Sequence, residues 1–314
     1  MVRFLTVRFS LIVVTLLVVS LAIFTITEIL PGDVATMMLR QGATEQNLKK
    51  VREDLRLDRP AHVRYLSWMG GVVRGDLGDS YFQKRPIVDI VRSRLGNSLI
   101  LAVFAFLVAV PTAVGAGIWA GVRPDTLGDR IVSVTSLVGI SLPEFVTGVL
   151  FIVIFSSMLD LLPSTSIVLP GTNPLTRPQI LVLPTLTLTG VLFGYVMRMT
   201  RANVIEVMQT HYVRTAVLKG LPMRRVILRH VVPNAMLPTI TIIAQNFGWM
   251  LGGLIIVESV FAYPGLGLLV LSSIQTRDVP LLQALALLIA ATYAISNLVA
   301  DLSYAALDPR IRLA

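Results

Sequence analysis

Six stretches of roughly twenty residues dominate the chain. Five of them, Phe9–Thr27, Asn97–Val122, Pro178–Met197, Val231–Val257 and Val279–Ala300, contain no Asp, Glu, Lys or Arg, and the sixth, Ile131–Leu159, is interrupted only by Glu144. A hydrocarbon core about 30 Å thick is crossed by about twenty helical residues. In lipid every backbone N–H and C=O must be satisfied within the segment, so each run has to be a helix. Only 14% of the 314 residues are charged, against about a quarter in soluble domains. The expectation is an all-α integral membrane protein with six spans. A seventh uncharged run, Ser259–Thr276, holds Pro264, Gly265, Gly267, Ser272 and Ser273, which suits a re-entrant or extracytoplasmic segment better than a lipid-facing helix.

Charge distribution orients the spans. With the N-terminus inside, the short cytoplasmic flanks carry Arg3, Arg8, Arg123, Arg130, Arg198, Arg201, Arg214, Lys219, Arg224, Arg225, Arg229, Arg310 and Arg312, whereas the two short outer loops carry only Arg177 and Arg277. This asymmetry follows the positive-inside rule and puts both termini in the cytoplasm. It also accounts for the net charge of +9 without nucleic acid. The basic N-terminus followed by an apolar run imitates a signal peptide, but no small-residue cleavage site follows, and an uncleaved first span is expected. With no cysteine there is no disulfide, thiol chemistry or thiolate metal site.

Three regions result: residues 1–30 with the first span, an extracytoplasmic segment 31–96, and a five-helix core 97–314. Within 31–96, amphipathic helices are expected over Gln46–Leu57 and His62–Val73, the second with Tyr65, Leu66, Trp68 and Met69 suited to the membrane interface, followed by a turn at Gly75–Tyr81. Gly117–Gly121 and Gly248–Gly252 have the spacing at which small residues let helices approach, within the chain or against a partner. No internal repeat or low-complexity tract is visible.

The core contains a polar, basic island, Thr210–Pro238, within a cytoplasmic loop spanning 198–234. Lys219-Gly220 can end one short helix, and Pro222 can open the next at its first turn. No phosphate-binding loop of the form G-x-x-x-x-G-K-[ST] is present, and His62, His211 and His230 lack metal-ligand spacing, so no catalytic or metal site is expected. The carboxylate at membrane depth is Glu144, after Pro143. It either faces a translocation path with Ser141 nearby or pairs with a polar group on a neighbouring span. Asp301 and Glu258 fall at span ends, where an interfacial position is expected.

Tyr212, Arg214-Thr215-Ala216, Lys219-Gly220, Arg229-His230, Asn234-Ala235 and Pro238 together resemble the cytoplasmic coupling loop of binding-protein-dependent ABC importer permeases, in the dipeptide/oligopeptide/nickel branch. So do Leu30–Asp33, Leu57–Pro60, Arg74–Tyr81, Ser141-x-Pro143-x-Phe145, Val257–Gly267, Arg277–Pro280 and Leu307–Arg312, in order over nearly the whole chain. Many permeases outside that branch begin the loop motif Glu-Ala-Ala, where this chain has Arg214-Thr215-Ala216.

The resemblance implies a type I importer permease in a prokaryotic cytoplasmic membrane, paired with a second permease and served by an extracytoplasmic solute-binding protein. Two partner ATPases would bind ATP and Mg, leaving this chain without cofactor or catalytic residue. It implies Tyr212, Arg214, Thr215, Ala216, Lys219, Gly220, Arg224, Arg225, Arg229 and His230 as the ATPase-coupling element. Peptides are the implied cargo, with nickel chelates, glutathione and oligosaccharides as alternatives. A proton-coupled secondary transporter is the alternative of another class; it would need more ionisable residues at the midplane than Glu144.

Overall fold

The computed structural model describes residues 2–29, 44–46, 48–49, 58–169 and 172–307. Leu30–Asp33, most of Gln46–Leu57 and Asp308–Arg312, which carry three of the sequence features above, lie outside the described residues. Helices α1 (Val2–Ile29), α2 (Ala61–Val73), α3 (Ile87–Val122), α4 (Leu127–Ser141), α5 (Glu144–Phe151), α6 (Gln179–Met208), α7 (His211–Leu218), α8 (Met223–Val226), α9 (Val232–Val260), α10 (Leu266–Gln275) and α11 (Val279–Leu307) follow in order. Among the described residues, five helical segments are long and apolar enough to cross a membrane: Thr6–Ile29, Ile87–Val122, Gln179–Met208, Met223–Gly248 and Val279–Val299.

The sixth expected span is not a straight helix. α4 and the helical stretch Glu144–Met158 are bent by 109° at a short break. Pro143 is the cause. The residue before a proline is driven out of the α region, and Leu142 is extended at φ −88°, ψ 128°. Pro143 itself then opens α5. Beyond Phe151 the helix passes into π turns over Ile152–Met158. At its other end α4 begins at Thr126, whose hydroxyl accepts from the Asp129 N–H. Beyond the end of α9, Ser259–Thr276 holds α10, ten residues long and too short to span.

Two compact units divide the chain, 1–97 with 265–292 and 98–264 with 293–314. In the first, α2 packs on α1 through Phe24, whose ring lies 5.3 Å from Tyr65 and 6.4 Å from Trp68. Ser20 Oγ and Tyr65 Oη are 2.9 Å apart, and Arg64 pairs with Glu28. Tyr65 and Trp68 thus pack on α1. The turn after α2 uses positive φ at Gly75 and Gly78. Ile87, Ile90, Leu269, Leu281 and Leu285 form the core of this unit.

Asp278 organises the rest of that unit. Its buried carboxylate accepts from Ser80 Oγ, from Tyr81 N at 3.0 Å and from Phe82 N at 3.2 Å, while its own N–H is bonded to Ser273 O. A loop nearly 200 residues earlier is thereby fixed to the start of α11. Burial pushes the Tyr81 phenol above its ordinary range, with Arg64 opposing the rise and Asp278 adding to it.

In the second unit α6 is the centre and the most deeply buried of the candidate spans. Close approach explains this. A Cβ added at Gly117 would lie 2.6 Å from Thr200 Cβ and 2.7 Å from Met197 O; at Gly121 it would lie 2.7 Å from Val204 Cβ. The Gly117–Gly121 pair therefore packs α3 on α6 inside the chain. Gly139 and Gly194 do the same for α4, meeting Gly190 O and Ser136 O at 2.7 and 2.6 Å. Gly248 and Gly252 differ: Gly248 faces Tyr293, and Gly252 meets nothing within 4 Å.

Two polar features of this unit depart from the sequence expectation. Glu258 is not interfacial; it is 0% exposed, and Ser98 Oγ donates to its carboxylate at 2.5 Å. Arg201 is more than a solvated flank, because it grips the buried Asp129 with Nε–Oδ1 and Nη2–Oδ2 distances of 2.5 and 2.7 Å.

Candidate functional site

The turn after α6 is built by local rules. α7 stops at Lys219, and Gly220 takes φ +75°. Gly220 N bonds to Val217 O at 2.9 Å and Leu221 N to Ala216 O at 3.4 Å, the Schellman pattern that satisfies a helix's last carbonyls. Only glycine enters this left-handed region without steric cost. Pro222 follows in an extended conformation and opens α8.

Here the structure departs from two separate short helices. α8 runs through π turns at Ile227–Val231 into α9, so Pro222 opens a long helix that carries Arg224, Arg225, Arg229 and His230 on its first turns. α7 stands as the only short helix of the pair.

One face of this element is fixed. Val213 and Ala216 of α7 and Val226, Val231 and Ala235 of the following helix are buried together with Val204 near the end of α6, and Leu221 packs on them. The small side chain of Ala216 suits its position within this cluster. The other face is open. Tyr212, Arg214, Thr215, Lys219, Gly220, Arg224, Arg225 and Arg229 are exposed, His230 is half-buried, and Leu218 stands out at 81% exposure, with Met223 on the far side of the turn also exposed. Among the described residues, none of Arg214, Lys219, Arg224 and Arg225 has a carboxylate partner. The element is seated by one apolar face and exposes a leucine and several cations on the other, with the chemistry to enter a groove lined by acidic side chains.

Glu144 and Ser141 are elsewhere. Ser141 is exposed at the end of α4, and Glu144 begins α5. Glu144 lines a small pocket with Leu188, Val191 and Leu192 of α6 and Asn246, Met250 and Gly253 of α9. Ser141 is not part of that lining. The sequence reading missed Asp278, Asp129 and the burial of Glu258; each is a carboxylate at the edge of an apolar run, and only the partner reveals it.

Apolar helices packed on one central span, with an exposed basic turn leading into a further span, define a multi-pass membrane protein. Residues 113–313 match the family described as binding-protein-dependent transport system inner membrane component, and residues 1–102 match its N-terminal region. The chain is 38% identical over 298 residues to the glutathione transport system permease protein GsiC of Escherichia coli O6:H1, covering 95% of each chain. It is 36% identical over 304 residues, again 95% of each, to candidate peptide permease proteins of Brucella ovis and Brucella suis.

The chain belongs to the family of binding-protein-dependent transport system inner membrane components. It is an ABC importer permease of the dipeptide/oligopeptide branch, a multi-pass protein of the bacterial cytoplasmic membrane that works with a solute-binding protein and other subunits. That assignment sets aside the proton-coupled carrier.

Proposed function

We propose that this chain is one half of a peptide-translocating pathway. It pairs with a second permease, two ATPases dock on its cytoplasmic side, and the exposed face of α7 and the turn after it is the surface they hold. Both termini face the cytoplasm. Di- and oligopeptides, glutathione among them, are the cargo, in keeping with the names of its relatives. ATP and Mg are bound by the partners, and no residue here is catalytic.

The observation that carries the reading is the exposed Leu218, with Arg214, Lys219, Arg224 and Arg225 also exposed, on an element whose other face is buried. A loop that merely marked the cytoplasmic side would need the charges but neither a seated helix nor an exposed leucine at its tip. Seated on both α6 and the start of α9, the element moves with those spans, so closure of the ATPases reaches the pathway as a rigid-body displacement. On the outer side, the segment tied down by Asp278 offers the solute-binding protein an ordered surface.

Co-purification tests this. Tagged wild type from membranes in mild detergent is expected to bring a second permease and ATPase subunits. Leu218→Asp and the double reversal Arg224→Glu/Arg225→Glu are expected to insert normally, lose the ATPases and lose peptide uptake. Retention of the ATPases by both variants would refute the docking surface. Uptake of nickel chelates or oligosaccharides and not of peptides would refute the cargo.

A further inference from the structure

The carboxylate of Glu144 has neither a hydrogen-bond nor an ion-pair partner among the described residues, although it lies against spans. Its walls are apolar: Leu188, Val191, Leu192 and Met250 are all buried. An anionic side chain at membrane depth is costly unless it meets a cation or water, and none of the residues lining this pocket is basic. Two features show how the pocket keeps that carboxylate. Glu144 occupies the first turn of α5, where the helix dipole favours negative charge. Position 253 on α9 is glycine, and a Cβ there would lie 3.1 Å from Glu144 Oε1, so the absence of a side chain leaves room for the carboxylate.

A second acceptor completes the set. Asn246 lines the same pocket; its amide nitrogen donates to Ile242 O at 2.8 Å, and its Oδ1 is not used by that bond. Carboxylate and amide oxygens in an apolar cup suit a primary ammonium, whose three N–H groups need several acceptors and whose charge needs one anion. A hard metal ion would want six or more oxygens, more than these two side chains supply.

We propose that Glu144 and Asn246 form a subsite on the translocation route that holds the free α-ammonium group of the cargo. The proposal rests on the peptide reading above, since peptides and glutathione share that group. The cargo's ammonium neutralises Glu144 as it passes, so Glu144 lowers the barrier to moving a charged terminus past apolar spans. Affinity for cargo in the outer compartment stays with the solute-binding protein.

The test uses the full complex in proteoliposomes, with ATP inside and solute-binding protein at saturation outside. Import of dialanine and of glutathione and ATPase rate are measured for wild type, Glu144→Gln, Glu144→Asp, Gly253→Ala and Gly252→Ala. Glu144→Gln is expected to slow import of either probe about ten- to a hundredfold, the effect of losing one charge-assisted hydrogen bond, with the half-saturating probe concentration unchanged and stimulated ATPase activity retained. Glu144→Asp recovers part of the rate. Gly253→Ala, which crowds Oε1, falls between, and Gly252→Ala behaves as wild type.

Wild-type import rates in Glu144→Gln overturn the subsite. So does loss of the second permease from purified Glu144→Gln, which would make Glu144 one half of an ion pair between permeases. Failure of the wild type itself to import either probe overturns the cargo reading instead, so the two failures are distinguishable.

Discussion

Removing either partner of the Asp129–Arg201 pair should destabilise the chain, and by unequal amounts. The Asp129 side chain is 2% exposed and the Arg201 side chain 29%. Arg201→Ala strips two charge-assisted bonds from a carboxylate that stays hidden, with only Asp125 N at 2.9 Å and Ser133 Oγ at 3.3 Å left to it. An uncompensated buried charge of this kind costs about 3 kcal/mol or more. Asp129→Ala leaves a guanidinium that already reaches solvent and can swing further on its long stem, for a cost of about 1 kcal/mol. The double alanine variant removes the stranded charge, so it should be more stable than Arg201→Ala alone, a non-additivity of about 2 kcal/mol. Thermal melting in detergent of the three variants and wild type gives the order: wild type highest, then Asp129→Ala, the double variant, and Arg201→Ala lowest. If Asp129→Ala melts as low as Arg201→Ala, or the double variant lowest of all, exposure does not govern the cost and the reasoning fails.

The glycines supply a parallel test by overpacking. Gly117→Ala and Gly121→Ala place a methyl under 3.0 Å from α6 atoms and should each cost about 1–3 kcal/mol, whereas Gly115→Ala, which meets nothing within 4 Å, should not lower the melting midpoint. At the turn, Gly220→Ala forces a Cβ into φ +75° and should cost about 1 kcal/mol and weaken ATPase retention, with Gly220→Asn milder because asparagine tolerates the left-handed region. On the outer side, Asp278→Ala orphans Ser80 Oγ, Tyr81 N and Phe82 N together. Limited trypsin digestion should then cut after Lys84 at least tenfold faster than in wild type; an unchanged rate would show that the carboxylate is not what holds the loop.

What the sequence made legible was whatever local chemistry decides. Charge-free runs mark spans because lipid penalises ions residue by residue. The Lys219–Pro222 turn was readable because glycine and proline act through backbone sterics that need no distant partner. Gly117 and Gly121 announced close packing, and α6 turned out to be what they pack on. The 109° bend was half legible: Pro143 marked its position, but the angle comes from how α4 and α5 each pack on α6.

The misses share one physical origin. Hydropathy divides a chain wherever charge appears, whereas a helical backbone continues through charged residues at no cost if they face water. Arg224, Arg225 and Arg229 therefore read as a short helix of their own within the loop and are the opening turns of a long helix. The same confusion hid the carboxylates. Asp129, Glu258 and Asp278 each sit beside an apolar run, where an interfacial residue would also sit, and what separates the two cases is a partner 72, 160 or nearly 200 residues away. A partner within the chain makes a carboxylate structural; the lack of one leaves it available to a ligand. By that criterion Glu144 differs in kind from the other three, since it is half-buried beside apolar side chains and a glycine that clears space for it, and among the described residues no cation pairs with it.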